Sequence, residues 1–285
     1  MKILITGDMG HLGNRARALL EERGHEVVGF DIQRDTGEDI ANRRNLKRAM
    51  WGCECVVHAA AIPHPKHGGF RRYFEVNVVG TVNVLEVAAG VNVRRVVYTS
   101  STGFYGCDTQ GRIQPAYFPI DEAHPIASRP GRATGKLEIY NQSKVMAEQV
   151  LAWFGTNQKF EAIALRIAPA NTKAWQYRGG YTWQDYCKDY HEHGDNWVRG
   201  CLFSNAHPDY IARAIVLAVE AEGPFWYEPF NITDRYVHKM VDVPAFLAQE
   251  YPDVPVREKM GSHDSLITPR RAMEVLGFEP CEDLE

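Results

Sequence analysis

Nothing in this chain of 285 residues is both long and apolar enough to span a bilayer, which takes about 20 consecutive apolar residues. The first apolar run, Lys2-Ile3-Leu4-Ile5, starts at once; it leaves no room for a signal peptide and predicts a cytoplasmic protein. Cysteine is scarce. Cys53, Cys55, Cys107, Cys187, Cys201 and Cys281 are scattered through a chain that needs no staples, so they read as reduced thiols. Neither sign of charge dominates: 32 basic against 36 acidic residues, a formal net charge of −4, argue against nucleic acid or an acidic membrane as partner. Repeats and low-complexity tracts are missing too. What is left is a globular composition, 45% hydrophobic and 24% charged, with enough chain for one large α/β domain.

The first apolar run breaks into Thr6-Gly7-Asp8-Met9-Gly10-His11-Leu12-Gly13. A strand that passes through glycines three apart into a helix is a way of holding a diphosphate. Gly7 permits the sharp turn, Gly10 lets the backbone approach the phosphates, and Gly13 lets the helix pack on its strand. The helix N-terminus supplies N–H groups and a positive dipole end. A second apolar run, Val27-Val28-Gly29-Phe30, ends on Asp31, where an acid takes both hydroxyls of an adenosine ribose. That carboxylate repels a 2′-phosphate and favours NAD over NADP, although Arg34 lies close enough to accommodate the phosphate.

Strands and helices then alternate. Helical spacing covers 42–50, 70–89, 138–154, 209–221, 243–251 and 269–276, and apolar runs at 55–60, 94–100, 161–167 and 225–232 read as strands. The alternation predicts an α/β fold: a Rossmann-type doubly wound parallel sheet, with ligands bound outside the carboxyl ends of the strands. Residues 1–166 form the expected NAD-binding core, and 167–285 a small substrate-covering region partly interleaved with it. Within the latter, Trp175 to Arg199 is rich in aromatic residues without a period. Its Trp175, Tyr177, Tyr181, Trp183 and Tyr186 suit either stacking on a sugar or base, or a small core.

Tyr140-Asn141-Gln142-Ser143-Lys144 places a phenol and an ammonium one turn apart on a helix. The ammonium is expected to stabilise the phenolate and pull the tyrosine pKa down toward the range of a general base. Ser101, just past a strand ending Tyr98-Thr99-Ser100, is placed to hold a substrate oxygen against Tyr140. No metal site is expected. Cys53-x-Cys55 with His58 reads as core packing and His191-Glu192-His193 as a polar loop, since neither has further ligands at a recognised spacing.

These motifs, with Asp39-Ile40, His58-Ala59-Ala60, Asn77-Val78-Val79-Gly80-Thr81 and Ser100-Ser101-x-x-x-Tyr105-Gly106, resemble the extended short-chain dehydrogenase/reductases, the NAD-dependent sugar epimerase/dehydratase family. A weaker match continues at Pro269-Arg270-Arg271 and Leu276-Gly277. The resemblance implies NAD as cofactor, Tyr140 as base, Lys144 as the group that lowers its pKa and holds the nicotinamide ribose, and Ser101 on the reacting hydroxyl. It puts the cofactor against Gly7, Met9, Gly10, His11, Leu12, Gly13, Asp31, Ile32, Asp39, Ile40, His58, Ala59, Ala60, Ala61, Thr99, Tyr140, Lys144 and Ile167. Asn77 belongs to the same set, or else is a structural link beneath the site. Substrate contacts are expected from Ser101, Thr102, Gly103, Pro63, His64, Arg178, Arg199 and Ser204, with His67 and Arg235 as further candidates. Helices 70–89 and 138–154 resemble those of a four-helix dimer seam, which implies a homodimer.

A Tyr–Lys–Ser site oxidises a carbinol, and three fates follow. Dehydration needs an acid/base pair where Thr102-Gly103 stands, so it is not expected. The run Ser100 to Gly106 resembles nucleotide-sugar 4-epimerases. Arg166-Ile167 and the Phe203-Ser204 region are similar to uronate dehydrogenases, which oxidise a free sugar acid. The expected function is therefore a sugar-directed oxidoreductase/epimerase, first a nucleotide-sugar epimerase and alternatively a dehydrogenase of a free uronate or aldose. A non-catalytic NAD-binding sensor is the reading from another class; such a protein would not need all of Ser101, Tyr140 and Lys144.

Overall fold

A computed structural model describes residues 1–63, 69–106, 115–126, 136–170, 202–237 and 242–281. Its strands β1 (Lys2–Thr6), β2 (Glu26–Phe30), β3 (Cys55–His58), β4 (Arg95–Ser101), β5 (Glu161–Ile167) and β6 (Glu228–Ile232) form one sheet in the order β2-β1-β3-β4-β5-β6. Every pairing is parallel. The chain turns back at β1, whose neighbours are β2 and β3, and the crevice at such a switch point is where open α/β sheets bind ligands.

Side-chain alternation explains the layers. Ile3, Ile5, Val57, Val97, Ile163 and Leu165 face one side and pack on α1 (His11–Glu22), with α6 (Pro208–Glu220) and α8 (Arg270–Leu276) beside it. Leu4, Val56, Val96, Tyr98, Ala162 and Ala164 face the other, against α2 (Arg43–Met50), α4 (Thr81–Gly90) and α5 (Lys136–Thr156). Both faces are covered, as a buried parallel sheet requires. A third cluster, which includes Phe104, Phe118, Leu202, Val243 and Leu266, draws in α7 (Val243–Glu250) beyond the sheet. Strand β6 and helix α6 come from beyond residue 166, yet they complete the sheet and one of its layers.

The helix read over 70–89 begins as α3 (Phe70–Tyr73), widens into a π-helical segment at Phe74–Gly80 and continues as α4. Such π segments recur at functional sites, and this one carries Asn77. Asn42 caps α2, its side chain accepting from the Asn45 amide at 3.2 Å. Cys53, Cys55 and Cys281 are buried, and burial pushes Cys55 up to about 12. Cys107, Cys187, Cys201 and the segment 175–199 lie outside the described residues. Among the described residues, no helix is long and apolar enough to cross a membrane.

Candidate active site

The glycine loop is shaped by contacts that admit nothing larger. Gly7 has φ +76°, and a Cβ there would come within 2.6 Å of the Ala60 amide nitrogen, so the loop lies directly on Ala59 and Ala60. A Cβ at Gly13 would overlap the Gly7 carbonyl oxygen, so α1 sits on its own loop. Among the described residues, a Cβ at Gly10 would meet only the Gly7 carbonyl oxygen, at 3.2 Å, which leaves the outer side of the turn open. Helix α1 begins at His11 with no side-chain cap, so its first-turn amides face the strand edge. Asp31 ends β2 at the same edge. Its Oδ2 accepts from the Met9 amide at 3.1 Å and its Oδ1 from the Gln33 amide at 2.8 Å. Met9 and Ile32 are exposed beside it. Asp39 is spent on a turn, accepting from the Ala41 amide at 2.8 Å, and Ile40 is buried against Gly80. An open backbone cradle at a helix N-terminus, with a carboxylate one strand away, fits a dinucleotide.

At the C-terminal end of β4, Ser101 hydrogen-bonds the Tyr140 hydroxyl, and its Oγ also accepts from the Gly103 amide at 3.1 Å. Lys144 lies one turn on in α5, buried, donating from Nζ to the Thr99 carbonyl at 2.7 Å. Its ammonium is 4.8 Å from the Tyr98 ring and 5.8 Å from the Tyr140 ring. The three side chains expected to act together are brought together. Their electrostatics differ from the expectation. Burial pushes Tyr140 up to about 12, with the Ser101 hydrogen bond pulling back and Tyr73 pushing further. Burial also drops Lys144 to about 7, against the pull of Glu148. At about 7 the lysine is still part-charged near neutral pH, and at the tyrosine burial outweighs its pull.

Two residues expected on the cofactor have their side chains committed elsewhere. The His58 ring is buried between Thr6 Oγ1, 2.7 Å from Nδ1, and Thr81 Oγ1, 2.9 Å from Nε2. Thr81 gives its own proton to the Asn77 carbonyl, so Nε2 donates and Nδ1 accepts. Desolvation lowers His58 to about 3 and keeps it neutral. Asn77 accepts from the Ile62 amide at 2.8 Å and donates to the Ile62 carbonyl at 3.2 Å and to Ser143 Oγ at 2.9 Å. Ser143 in turn donates to the Tyr140 carbonyl at 2.7 Å. His58, Thr81, Asn77 and Ser143 thus form a relay of hydrogen bonds that seats the catalytic helix. Asn77 bonds both the Ile62 backbone and Ser143 on the helix that carries Tyr140.

On the substrate side, Pro63 is exposed and Thr102 is buried. A Cβ at Gly103 would overlap the Asn141 side chain, so this glycine is needed for packing. Ser204 is buried, with its hydroxyl 3.4 Å from the Leu202 carbonyl oxygen. It follows Leu202 and Phe203, both at positive φ, a strained pair for non-glycine residues. His64, His67, Arg178, Arg199 and the His191-Glu192-His193 run lie outside the described residues. Ile167 ends β5 level with Ser101.

Motif reading missed the floor of the site. Glu148, one turn beyond Lys144, is fully buried. It accepts from Ser100 Oγ, from Arg166 Nε at 2.9 Å and from the Tyr227 hydroxyl at 2.8 Å. Arg166 continues to the Tyr105 hydroxyl at 2.8 Å, which donates to Asn231 at 2.7 Å. The network ties β4, α5, β5 and β6 together directly behind Ser101. An acid at the third step of the Tyr140–Lys144 spacing, with an arginine at the end of a strand, was the available signal.

The sequence profile of the NAD dependent epimerase/dehydratase family matches residues 3–170. Among curated proteins, the chain is 39% identical over 125 residues to the sterol demethylase protein B of Methylococcus capsulatus, covering 39% of this chain and 38% of that one. It is 28% identical over 192 residues to the UDP-glucose 4-epimerase of Erwinia amylovora, covering 58% and 52%. The chain therefore spans about half, or less, of the length of these relatives. Among solved structures, a short-chain dehydrogenase/reductase superfamily protein from Agrobacterium tumefaciens with bound NAD superposes with a TM-score of 0.70 at 20% identity, over 100% of this chain and 94% of that one. That likeness concerns the fold.

Proposed function

The chain belongs to the NAD dependent epimerase/dehydratase family, and we propose that it oxidises a secondary alcohol of a sugar or nucleotide-sugar with Ser101, Tyr140 and Lys144, completing the reaction as an epimerase. The observation that carries this reading is the Ser101–Tyr140 hydrogen bond at the strand edge beside the glycine cradle, with Lys144 one turn behind. NAD, when bound, supplies the hydride acceptor. Ser101 orients the reacting hydroxyl and Tyr140, in its phenolate form, receives the proton at Oη; the Lys144 ammonium one turn away favours that form against the burial that opposes it, and also anchors the helix to the Thr99 carbonyl. Cofactor contacts from the glycine loop, Asp31 and the backbone of Ala59–Ala61 belong to this reading, as do substrate contacts from Pro63 and the residues beyond Ser101.

The second reading is a net dehydrogenase of a free uronate or aldose, supported by the same three side chains and by the similarity of Arg166-Ile167 to uronate dehydrogenases. Incubation with NAD and a panel of nucleotide-sugars, free uronates, aldoses and a 3-hydroxysterol, followed at the NADH band and by product stereochemistry, separates the two. The sterol enters because several relatives carry sterol-related names. An epimer without net NADH supports the first reading, and net NADH the second. Tyr140→Phe is expected to cut turnover by about 10²–10⁴-fold while leaving NAD binding in place; full activity in that variant removes Tyr140 from the mechanism. The homodimer belongs to the same proposal. Phe70, Val79, Met146 and Trp153 leave apolar surface exposed on α3, the π segment and α5, and a monomer by light scattering at micromolar concentration would sink it.

A further inference from the structure

Arg34 is the one residue that made the sequence ambiguous between NAD and NADP, and the structure shows it occupied. Its guanidinium bonds Asp8, the residue after Gly7 in the glycine loop, and lies 3.6 Å from Glu38. Asp8 has no exposed side-chain surface, and Arg17 contacts the same carboxylate oxygen at 2.9 Å. The circuit closes on the cofactor side: Glu38 accepts from the Asp31 amide at 2.9 Å, and Asp31 accepts from the Met9 amide beside Asp8. Three carboxylates thus surround two guanidiniums, and the site facing the ribose is net negative.

Gly29 shows independently that this arrangement is built in. It sits in the middle of β2 without a positive φ, so no turn requires a glycine there. A Cβ at this position would overlap the Asp8 carboxylate and come within 2.5 Å of Arg34 Nη1. The missing side chain is the space the pair occupies.

We propose that Asp8 is a cofactor-specificity residue, which holds Arg34 against the glycine loop and so withholds from a 2′-phosphate the one arginine beside Asp31. The proposal rests on the dinucleotide reading of this site. Removing the charge of Asp8, or filling the space at Gly29, releases Arg34 to form a charge-assisted bond with the phosphate. The atoms nearest to a methyl at 29 belong to the Asp8 carboxylate and the Arg34 guanidinium, so Gly29→Ala disturbs the pair with every charge kept.

The test is the ratio of NAD to NADP dissociation constants by calorimetry, which needs no substrate. Wild type is expected to favour NAD. Asp8→Asn and Gly29→Ala are each expected to shift the ratio toward NADP by about tenfold. Arg34→Met alone is expected to leave the ratio unchanged, and Asp8→Asn with Arg34→Met to lose the gain. An unchanged ratio in both Asp8→Asn and Gly29→Ala overturns the proposal, as does weakened NADP binding in Arg34→Met alone. A wild-type protein that binds neither dinucleotide overturns the cofactor reading itself, and is told apart by the missing NAD signal.

Discussion

Two networks of charged side chains hold the motif residues, one behind the catalytic helix and one under the glycine loop. In the first, Glu148 has no exposed side-chain surface and Arg166 has 3%, and their remaining hydrogen-bond capacity goes to Ser100, Tyr227 and Tyr105. In the second, Asp8 is equally buried, but its partners Arg17 and Arg34 keep 32% and 35% of their side-chain surface in water. An ion pair with both ends out of water fixes geometry, because neither charge can be rehydrated without opening the core. A pair with one wet end exchanges partners cheaply. On our proposals, the first kind sets reaction geometry and the second cofactor choice.

The comparison breaks first at Glu148. Glu148→Ala leaves Arg166 charged and buried beside empty space, and is expected to cost about 3–5 kcal/mol of stability by urea unfolding. Arg166→Met acts in the same direction. The double variant is expected to lose less than the two single losses together, because it removes both charges. A cost below about 1 kcal/mol for Glu148→Ala would show that this pair behaves like a surface pair, and the contrast between the two networks would fall.

Titration sharpens it next. His58 is held neutral in the fold with its value lowered to about 3 from 6.5, so in the window between those values the unfolded chain binds more protons than the folded one. Its contribution to stability is present above pH 6.5 and is lost as pH falls toward 3, by at most about 1.4 kcal/mol per unit. Lys144, lowered to about 7 from 10.5, also binds fewer protons folded than unfolded between those values, so stability rises with pH from about 7 toward 10.5. Urea unfolding of wild type, His58→Gln and Lys144→Met across pH 4–10 reads both. A wild-type slope retained below pH 6.5 in His58→Gln, or above pH 7 in Lys144→Met, assigns that slope to other groups.

Much of this was legible from residues that act through the backbone. Gly7 and Gly13 read correctly as turn and packing positions because a missing Cβ is a local property, and the strand over 161–167 because apolar alternation is local too. His58 and Asn77 were harder. Both sit inside motifs that resemblance assigns to the cofactor, but their side chains turn inward to partners 15 to 66 residues away, Asn77 bonding Ile62 and Ser143, and His58 bonding Thr6 and Thr81. No spacing rule announces such a partner. Helical spacing places Lys144 beside Tyr140 but is silent on burial, and burial is the largest influence on both titrations. Ser204 was expected to contact substrate; it is buried after two residues at positive φ, a backbone that local sequence does not announce.

The smallest effect is expected where both partners are wet. Arg43 at the start of α2 pairs with Glu86 of α4 at 2.6 Å, with 57% and 41% of their side chains exposed. The geometry is as close as that of Arg166 on Glu148, so distance alone would rank the two pairs together. Hydration separates them. Water already solvates both ends of the Arg43 pair, and ordering two long side chains offsets most of the Coulomb gain, so Arg43→Ala is expected to change stability by less than about 1 kcal/mol. In high salt that difference should shrink further, while the Glu148→Ala cost stays, because screening reaches only the exposed pair. Equal salt sensitivity in the two variants would mean that burial is not what distinguishes the networks.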